Sequence, residues 1–350
     1  MTLQHLKRLT VPALILAVAL LVLVPADLTG YGIPYAGFRR YGLYIMSLWL
    51  VTAIAAMGVN LIMGYAGQET LAQAGFLGIG AYTMALLTTK LGAPFFVAFF
   101  AAGALCFVIG ILLGFPALRV QKHYLAFVTL AFSVFIWLVI RNEEWLTGGV
   151  SGIQDVPRPT ILGLRTRPPL VFYYFVLSMT LMLAGVMWWI LRSPWGRAFT
   201  ALRENPVRAE SLGIDVRGYK LLAFAIGSAY GGFAGALYAP LVEFIDPAPF
   251  ALGPSLMYLM MILVGGMGYF IGPFIGAAVG VLLPEWLRFT EGHAPLIFAV
   301  IVMTMVAFAP NGIAGLVERL LTPKRRPHAD ATGPTLASLT EKASAGEARP

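Results

Sequence analysis

Ten stretches of this chain are long and apolar enough to be read as membrane helices: 10–26, 41–63, 68–89, 94–114, 124–145, 170–191, 220–239, 254–268, 272–289 and 295–312. A helix needs about 20 mostly apolar residues to cross a bilayer. In hydrocarbon the backbone must satisfy its own hydrogen bonds, and a helix does so within one segment. The pattern therefore predicts an all-α integral membrane protein, a polytopic bundle of about 10 transmembrane helices. The scarcity of charge agrees. Asp, Glu, Lys and Arg make up only 11% of the chain, against roughly 25% in soluble proteins. A water-facing surface cannot be built from so few charges. These observations exclude a soluble enzyme, a disordered chain and a nucleic-acid-binding domain.

The first run follows Lys7 and Arg8, as a signal peptide would, but Val24-Pro25-Ala26-Asp27 offers no small-residue cleavage site. A retained anchor is expected. The basic residues then set an orientation. With the N-terminus inside, ten crossings place both termini in the cytoplasm. Sixteen Lys and Arg residues then fall on the inner side and eight on the outer side, the bias expected of cytoplasmic loops. Two regions strain the count. The run 68–89 reads as broken, and two short spans meet at Gly265-Gly266-Met267-Gly268.

Long loops and rare residues narrow the function. Residues 146–169 are rich in Gly, Pro and Thr and read as an ordered, turn-rich excursion on the outer side. The tail from Thr322 has no aromatic residue and reads as disordered. No Lys follows a Gly, so the chain has no phosphate-binding loop and no recognisable ATPase of its own. His5, His123, His293 and His328 are scattered without metal spacing, and Cys106 is the only cysteine. No metal site or catalytic residue is expected.

Three patterns remain. Gly227, Gly231 and Gly235 recur every four residues, as do Gly268, Gly272, Gly276 and Gly280. That period puts each row near one helix face, where small residues let helices approach closely in lipid. Static packing inside one bundle and a moving gate or subunit contact both fit. The second pattern is polar. Gln68, Glu69, Thr70 and Gln73 cluster between apolar runs, with Asn60 before them and repeated glycines among them. Polar groups in hydrocarbon face partners, water or a ligand. An interrupted helix with its N-terminus after Gly67 would suit a carboxylate. The five residues are candidates for a solute pathway; the alternative is a cytoplasmic turn at the membrane edge.

The third pattern is the inner loop. One short helix is expected over about 196–204. Asn205 suits an N-cap and Pro206 the first position of a second helix, over about 206–212. Gly213 fits just past its end. Two short cytoplasmic helices can pass force from a soluble partner into the membrane; an amphipathic loop held by anionic lipid is the alternative.

The residues at these sites resemble a known family. Gly64-Tyr65-Ala66-Gly67-Gln68 through Leu71, Ala74, Phe76 and Gly78-Ile79-Gly80-Ala81-Tyr82 is similar to a signature of branched-chain amino acid ABC transporter permeases, the LivM/LivH type. Thr70 stands for Ser, and Glu69, Ala72, Gln73 and Gly75 depart from the pattern. The run Gly196-Arg197, Ala201, Arg203-Glu204-Asn205, Ala209-Glu210, Gly213-Ile214 and Tyr219-Lys220 resembles that family's coupling loop. Thr147-Gly148-Gly149 through Pro157, and Phe308 through Leu316, resemble two further blocks, the first suiting the LivM-like member better.

The resemblance implies a transport subunit, not an enzyme, with a single permease domain over 1–321 and a cytoplasmic tail over 322–350. It implies the bacterial inner membrane, a second homologous permease, two ATPase subunits that bind ATP and Mg, and an external solute-binding protein. It assigns Arg197, Arg203, Glu204, Asn205, Ala209, Glu210 and Gly213 to ATPase coupling. The expected function is import of branched-chain or related amino acids by alternating access. A urea or short-amide permease of the same family is the nearest alternative. An ion-coupled secondary transporter fits less well, since only Glu69 and Glu285 approach the expected intramembrane charges. An intramembrane enzyme lacks a catalytic set.

Overall fold

The computed structural model describes residues 36–117, 122–161, 164–165, 168–287, 296–297, 299–300, 302–304 and 312–321. The anchor expected at 10–26, the tail 322–350 and most of the run 295–312 lie outside the described residues. The chain divides into two compact units, Met1–Gly315 and Leu316–Pro350. Of the second, only the end of one helix is described.

Helix α1 (Ala36–Val59) runs into a π-helical turn, Asn60–Tyr65. There follow α2 (Gln73–Thr89), α3 (Phe95–Ala117), α4 (Lys122–Asn142), the single turn α5 (Glu144–Thr147) and α6 (Pro169–Arg192). The short pair α7 (Pro194–Glu204) and α8 (Pro206–Ser211) leads into α9 (Val216–Val242). Then come α10 (Leu252–Gly265), α11 (Gly272–Trp286) and α12 (Gly312–Leu321). Among the described residues, five helical stretches are long and apolar enough to cross a membrane: Arg40–Tyr65, Phe95–Ala117, Tyr124–Asn142, Pro169–Arg192 and Val216–Val242. The described chain is an all-α membrane protein, apart from one two-residue β-ladder, Thr160–Ile161 with Leu164–Arg165.

Helix α9 is the axis, packed against α1, α2 and α3. The contact with α3 shows how such a bundle coheres. Helix α3 turns Ala98, Ala102, Cys106, Gly110 and Gly114 inward, one small residue per turn. Val97, Phe100, Val108, Leu112 and Phe115 point out, while Phe95 and Phe99 are buried with the small row. Lipid removes the hydrophobic reason to bury the large side chains, so close backbone approach through small ones decides the interface. Phe233 of α9 fills the space over Gly103, and Cys106 lies against Gly232. The row Gly227, Gly231, Gly235 serves the opposite side. A Cβ on Gly227 would strike Ile62, on Gly231 the Phe76 Cβ at 2.8 Å, and on Gly235 the backbone of Leu77 and Ala81. That row faces helices of its own chain.

One expectation needs correction. The runs expected at 254–268 and 272–289 form two short apolar helices packed as an antiparallel hairpin. Helix α10 has 14 residues and α11 has 15. At ~1.5 Å per residue each is about 21–23 Å long, short of a ~30 Å hydrocarbon core. Gly266 and Gly268, with φ of 114° and 78°, end the first helix before its apolar run ends. The row Gly268, Gly272, Gly276, Gly280 is therefore not one helix face. Gly268 sits in the turn, while Gly276 and Gly280 back onto Met261 across the hairpin.

Loop contacts sort into two ends. At one, Lys90 Nζ donates to the Trp145 and Leu146 carbonyls at 3.2 and 3.0 Å. There Ile153 pairs with Ile245, and Arg158 Nε meets Glu243 Oε1 at 2.6 Å. The turn-rich loop 146–169 is thus fastened to the segment after α9. At the other end lie the α1–α2 junction, the α7–α8 pair and the tip of the α10–α11 hairpin.

Candidate functional site

The α1–α2 junction begins where the helix widens. Ala66 N donates to Leu61 O and Gln68 N to Ile62 O, both at 3.0 Å. These are longer loops than the four-residue α pattern, and such π turns mark interruptions. Gly67 takes φ 67° and the chain stays non-helical until Gln73. The expected helix start after Gly67 is thus displaced to Gln73. Two N–H groups there meet hydroxyls: Leu71 N donates to Thr129 Oγ1 at 3.0 Å and Gly75 N to Ser133 Oγ at 3.2 Å. Ser133 Oγ lies 3.0 Å from Ser255 Oγ of α10. Hydroxyls, rather than a carboxylate, occupy the N-terminus of α2.

The expected pathway residues are buried but do not converge. Asn60, Gln68 and Thr70 are each 3% exposed and Gln73 is 1% exposed, while Glu69 is half-buried. Asn60 clasps the hairpin tip: its Nδ2 donates to Tyr269 O and its Oδ1 accepts from Gly268 N, both at 2.9 Å. Gln68 Nε2 donates to Lys220 O at 3.0 Å, on α9. Gln73 Nε2 donates to Ala55 O at 2.8 Å, on α1. Thr70 Oγ1 accepts from Ala72 N at 3.3 Å. Such pairing is what buried polar groups require, and it is incomplete: the buried Oε1 atoms of Gln68 and Gln73 have no partner among the described residues. A cleft of about 560 Å³ lies at the opposite end, lined by Arg40, Tyr44, Ser47, Arg158 and Phe172, and by none of these five.

The junction sits level with Lys220, at the basic end of α9. It is a polar joint enclosed by protein at one end of the bundle. Thr129, Ser133 and Ser255 belong to it and were not singled out from the sequence. The spacing of Thr129 and Ser133, four apart on an otherwise apolar helix, is the signal that finds two of them.

The α7–α8 pair forms as local rules dictate. Asn205 Oδ1 accepts from Arg208 N at 3.1 Å, Pro206 holds the first position, and Gly213 follows at φ 82°. Helix α7 starts two residues before the expected 196. Ser193-Pro194 is itself a cap and first-position pair, with Ser193 Oγ accepting from Trp195 N at 3.2 Å. The pair is amphipathic. Ala198, Phe199, Leu202 and Ala209 are buried, whereas Arg197, Glu204, Arg208, Glu210, Leu212 and Gly213 are exposed. Phe199 packs edge-on against Tyr219 at 6.2 Å.

One exposed residue of the pair also reaches back to the bundle. Arg203 Nη1 donates to the Gly64 carbonyl. Its Cα and Cγ lie 3.3 Å from where a Cβ on Gly67 would stand, and a Cβ on Gly268 would meet its Nη1. The coupling residues expected from the sequence thus divide. Arg197, Glu204, Glu210 and Gly213 form an exposed face, Asn205 and Ala209 build the pair, and Arg203 reaches the polar joint.

Known proteins carry the same arrangement of sequence. A family model described as branched-chain amino acid transport system / permease component matches residues 41–309, which include the joint, the helix pair and the hairpin. The chain is 34% identical over 292 residues to the high-affinity branched-chain amino acid transport system permease protein LivM of Escherichia coli K12, covering 77% of this chain and 69% of that protein. It is 26% identical over 320 residues to the probable branched-chain amino acid transport permease protein LivM of Methanocaldococcus jannaschii, covering 80% and 86%. A likeness to the autoinducer 2 import system permease protein LsrC of Escherichia coli, at 25% identity, spans 52% of this chain and 48% of that one. No solved structure matches. With the match running through nearly the whole described bundle, the chain belongs to the branched-chain amino acid transport system permease family.

Proposed function

We propose that this chain is a membrane-spanning subunit of an ATP-driven importer of branched-chain or related amino acids in a bacterial inner membrane. The observation that carries the reading is the α7–α8 pair, a capped, rigid protrusion at the basic end of the bundle with an exposed mixed-charge face. Its partner there is an ATPase subunit, and a full assembly holds two of them with their ATP and Mg. A second permease completes the pathway, and a solute-binding protein delivers the amino acid at the Arg158–Glu243 end. The sixteen-to-eight excess of basic residues supports the α7–α8 end, with both termini, as cytoplasmic.

ATP shifts the equilibrium between inward- and outward-open states because nucleotide binds the two unequally. The chain itself performs no covalent step. Asn60, Gln68, Glu69, Thr70 and Gln73 shape the inner end of the pathway.

Reconstitution with the partner subunits tests this. Labelled leucine should enter vesicles on ATP addition with ion gradients collapsed, and Glu210→Lys should abolish uptake while the protein stays in the membrane. Normal uptake by that variant would remove the coupling assignment. Competition by urea but not by isoleucine would reassign the solute.

A further inference from the structure

The exposed face of α7–α8 explains how a partner is met. It leaves open how a push on that face reaches the helices that must move. Helix α7 joins α6 through the tight Ser193 turn, and α8 leads into α9 at Asp215, which caps α9 by accepting from Arg217 N and Gly218 N at 3.1 Å. These are connections along the chain. A third route crosses space. The last carbonyls of the α1 π-turn have no onward helical partner, since the chain leaves the helix at Ala66. They are also the negative end of a long helix dipole. The Arg203 guanidinium donates to one of them, the Gly64 carbonyl.

Two glycines make room for it, and a third makes room for the clasp beside it. Gly67 and Gly268 adopt φ of 67° and 78°, and a side chain on either would meet Arg203. A Cβ on Gly64 would strike Asn60 Oδ1 and stand 2.5 Å from Gly268 N. Asn60 in turn holds Gly268 and Tyr269. The end of α1, helix α7 and the hairpin tip therefore meet around one arginine. A fixed planar fork of donors suits that role better than a flexible ammonium.

We infer that Arg203 is a positioning residue that pins the coupling helices to the end of α1 and the hairpin tip, so that movement of α7 is delivered directly to the polar joint. The inference rests on the coupling role given above to α7–α8. It separates Arg203 from its neighbours: Arg197, Glu204 and Glu210 meet the partner, whereas Arg203 passes the movement inward.

The test uses the reconstituted full transporter and reads amide hydrogen exchange with and without a non-hydrolysed ATP analogue. In the parent, nucleotide should change exchange in both 206–213 and 64–72. In Arg203→Gln the response at 206–213 should persist, the response at 64–72 should disappear, and uptake should fall at least tenfold. Arg203→Lys keeps the charge and one donor and should restore part of both. It carries the same test if the Gln variant is not recovered from membranes. A nucleotide response at 64–72 that is unchanged in both variants overturns the pin while leaving the coupling reading intact. No response at 206–213 in the parent overturns the coupling reading and the pin with it.

Discussion

Two polar interruptions break this apolar chain, and they treat their polar groups in opposite ways. The α1–α2 joint turns Asn60, Gln68, Thr70 and Gln73 inward and pairs each with backbone. The α7–α8 pair turns Arg197, Glu204, Arg208 and Glu210 outward and buries Phe199 and Leu202 beneath them. The first is a polar core in a membrane bundle; the second is an ordinary amphipathic surface in water. Polarity in a membrane sequence therefore marks two different things. An enclosed joint uses it to satisfy backbone left over by a broken helix. A protruding loop uses it to meet another molecule. Arg203 belongs to the second by sequence and to the first by contact.

Substitutions can break or sharpen this contrast. The largest effect is expected inside the joint. Gly64→Val places carbon where Asn60 Oδ1 and the Gly268 N–H now stand. Both are held by backbone, so relief requires moving the hairpin tip. A loss above about 3 kcal/mol is expected, the upper end for overpacking, seen as a collapse of the thermal unfolding midpoint in detergent. A parent-like midpoint would show that the joint is loose rather than packed.

Asn60→Leu comes next. It preserves bulk but removes the acceptor for Gly268 N and the donor to Tyr269 O. Leaving such groups unpaired costs about 1–3 kcal/mol, again read as a lowered midpoint. A neutral result would mean that the clasp does not hold the hairpin. The smallest stability effect belongs to the exposed pair. Asn205→Ala removes the cap on Arg208 N and should cost about 1 kcal/mol, with a larger drop in uptake than in stability. A stability loss as large as that of Asn60→Leu would erase the distinction between the two regions.

How much of this was legible beforehand follows from how local each cause is. The boundaries of α8 were readable because Asn205, Pro206 and Gly213 act on their own backbone within a few residues. Helix α7 was placed two residues late, although Ser193-Pro194 carries the same local signal. The outer loop was readable as ordered and turn-rich, but its pairing with Ile245 and Glu243 was not, since those lie far along the chain. The inward row on α3 does not read as a glycine repeat, because it mixes Ala, Cys and Gly, although all are small enough to serve. The joint is legible in composition; the partners of its side chains are not. Nothing near Asn60 in sequence indicates that its partners are Gly268 and Tyr269.

The sequence by itself determined an all-α membrane chain, a family, and a capped helix pair at a basic end, because apolar run length, motif order and capping are properties of neighbouring residues. Only the tertiary structure decided which distant backbone groups Asn60, Gln68 and Gln73 hold, that α10 and α11 pack as one hairpin, and that Arg203 reaches the Gly64 carbonyl. Each of those depends on which distant backbone group is left unsatisfied and which side chain can reach it. Only the assembled bundle brings those groups within reach of each other.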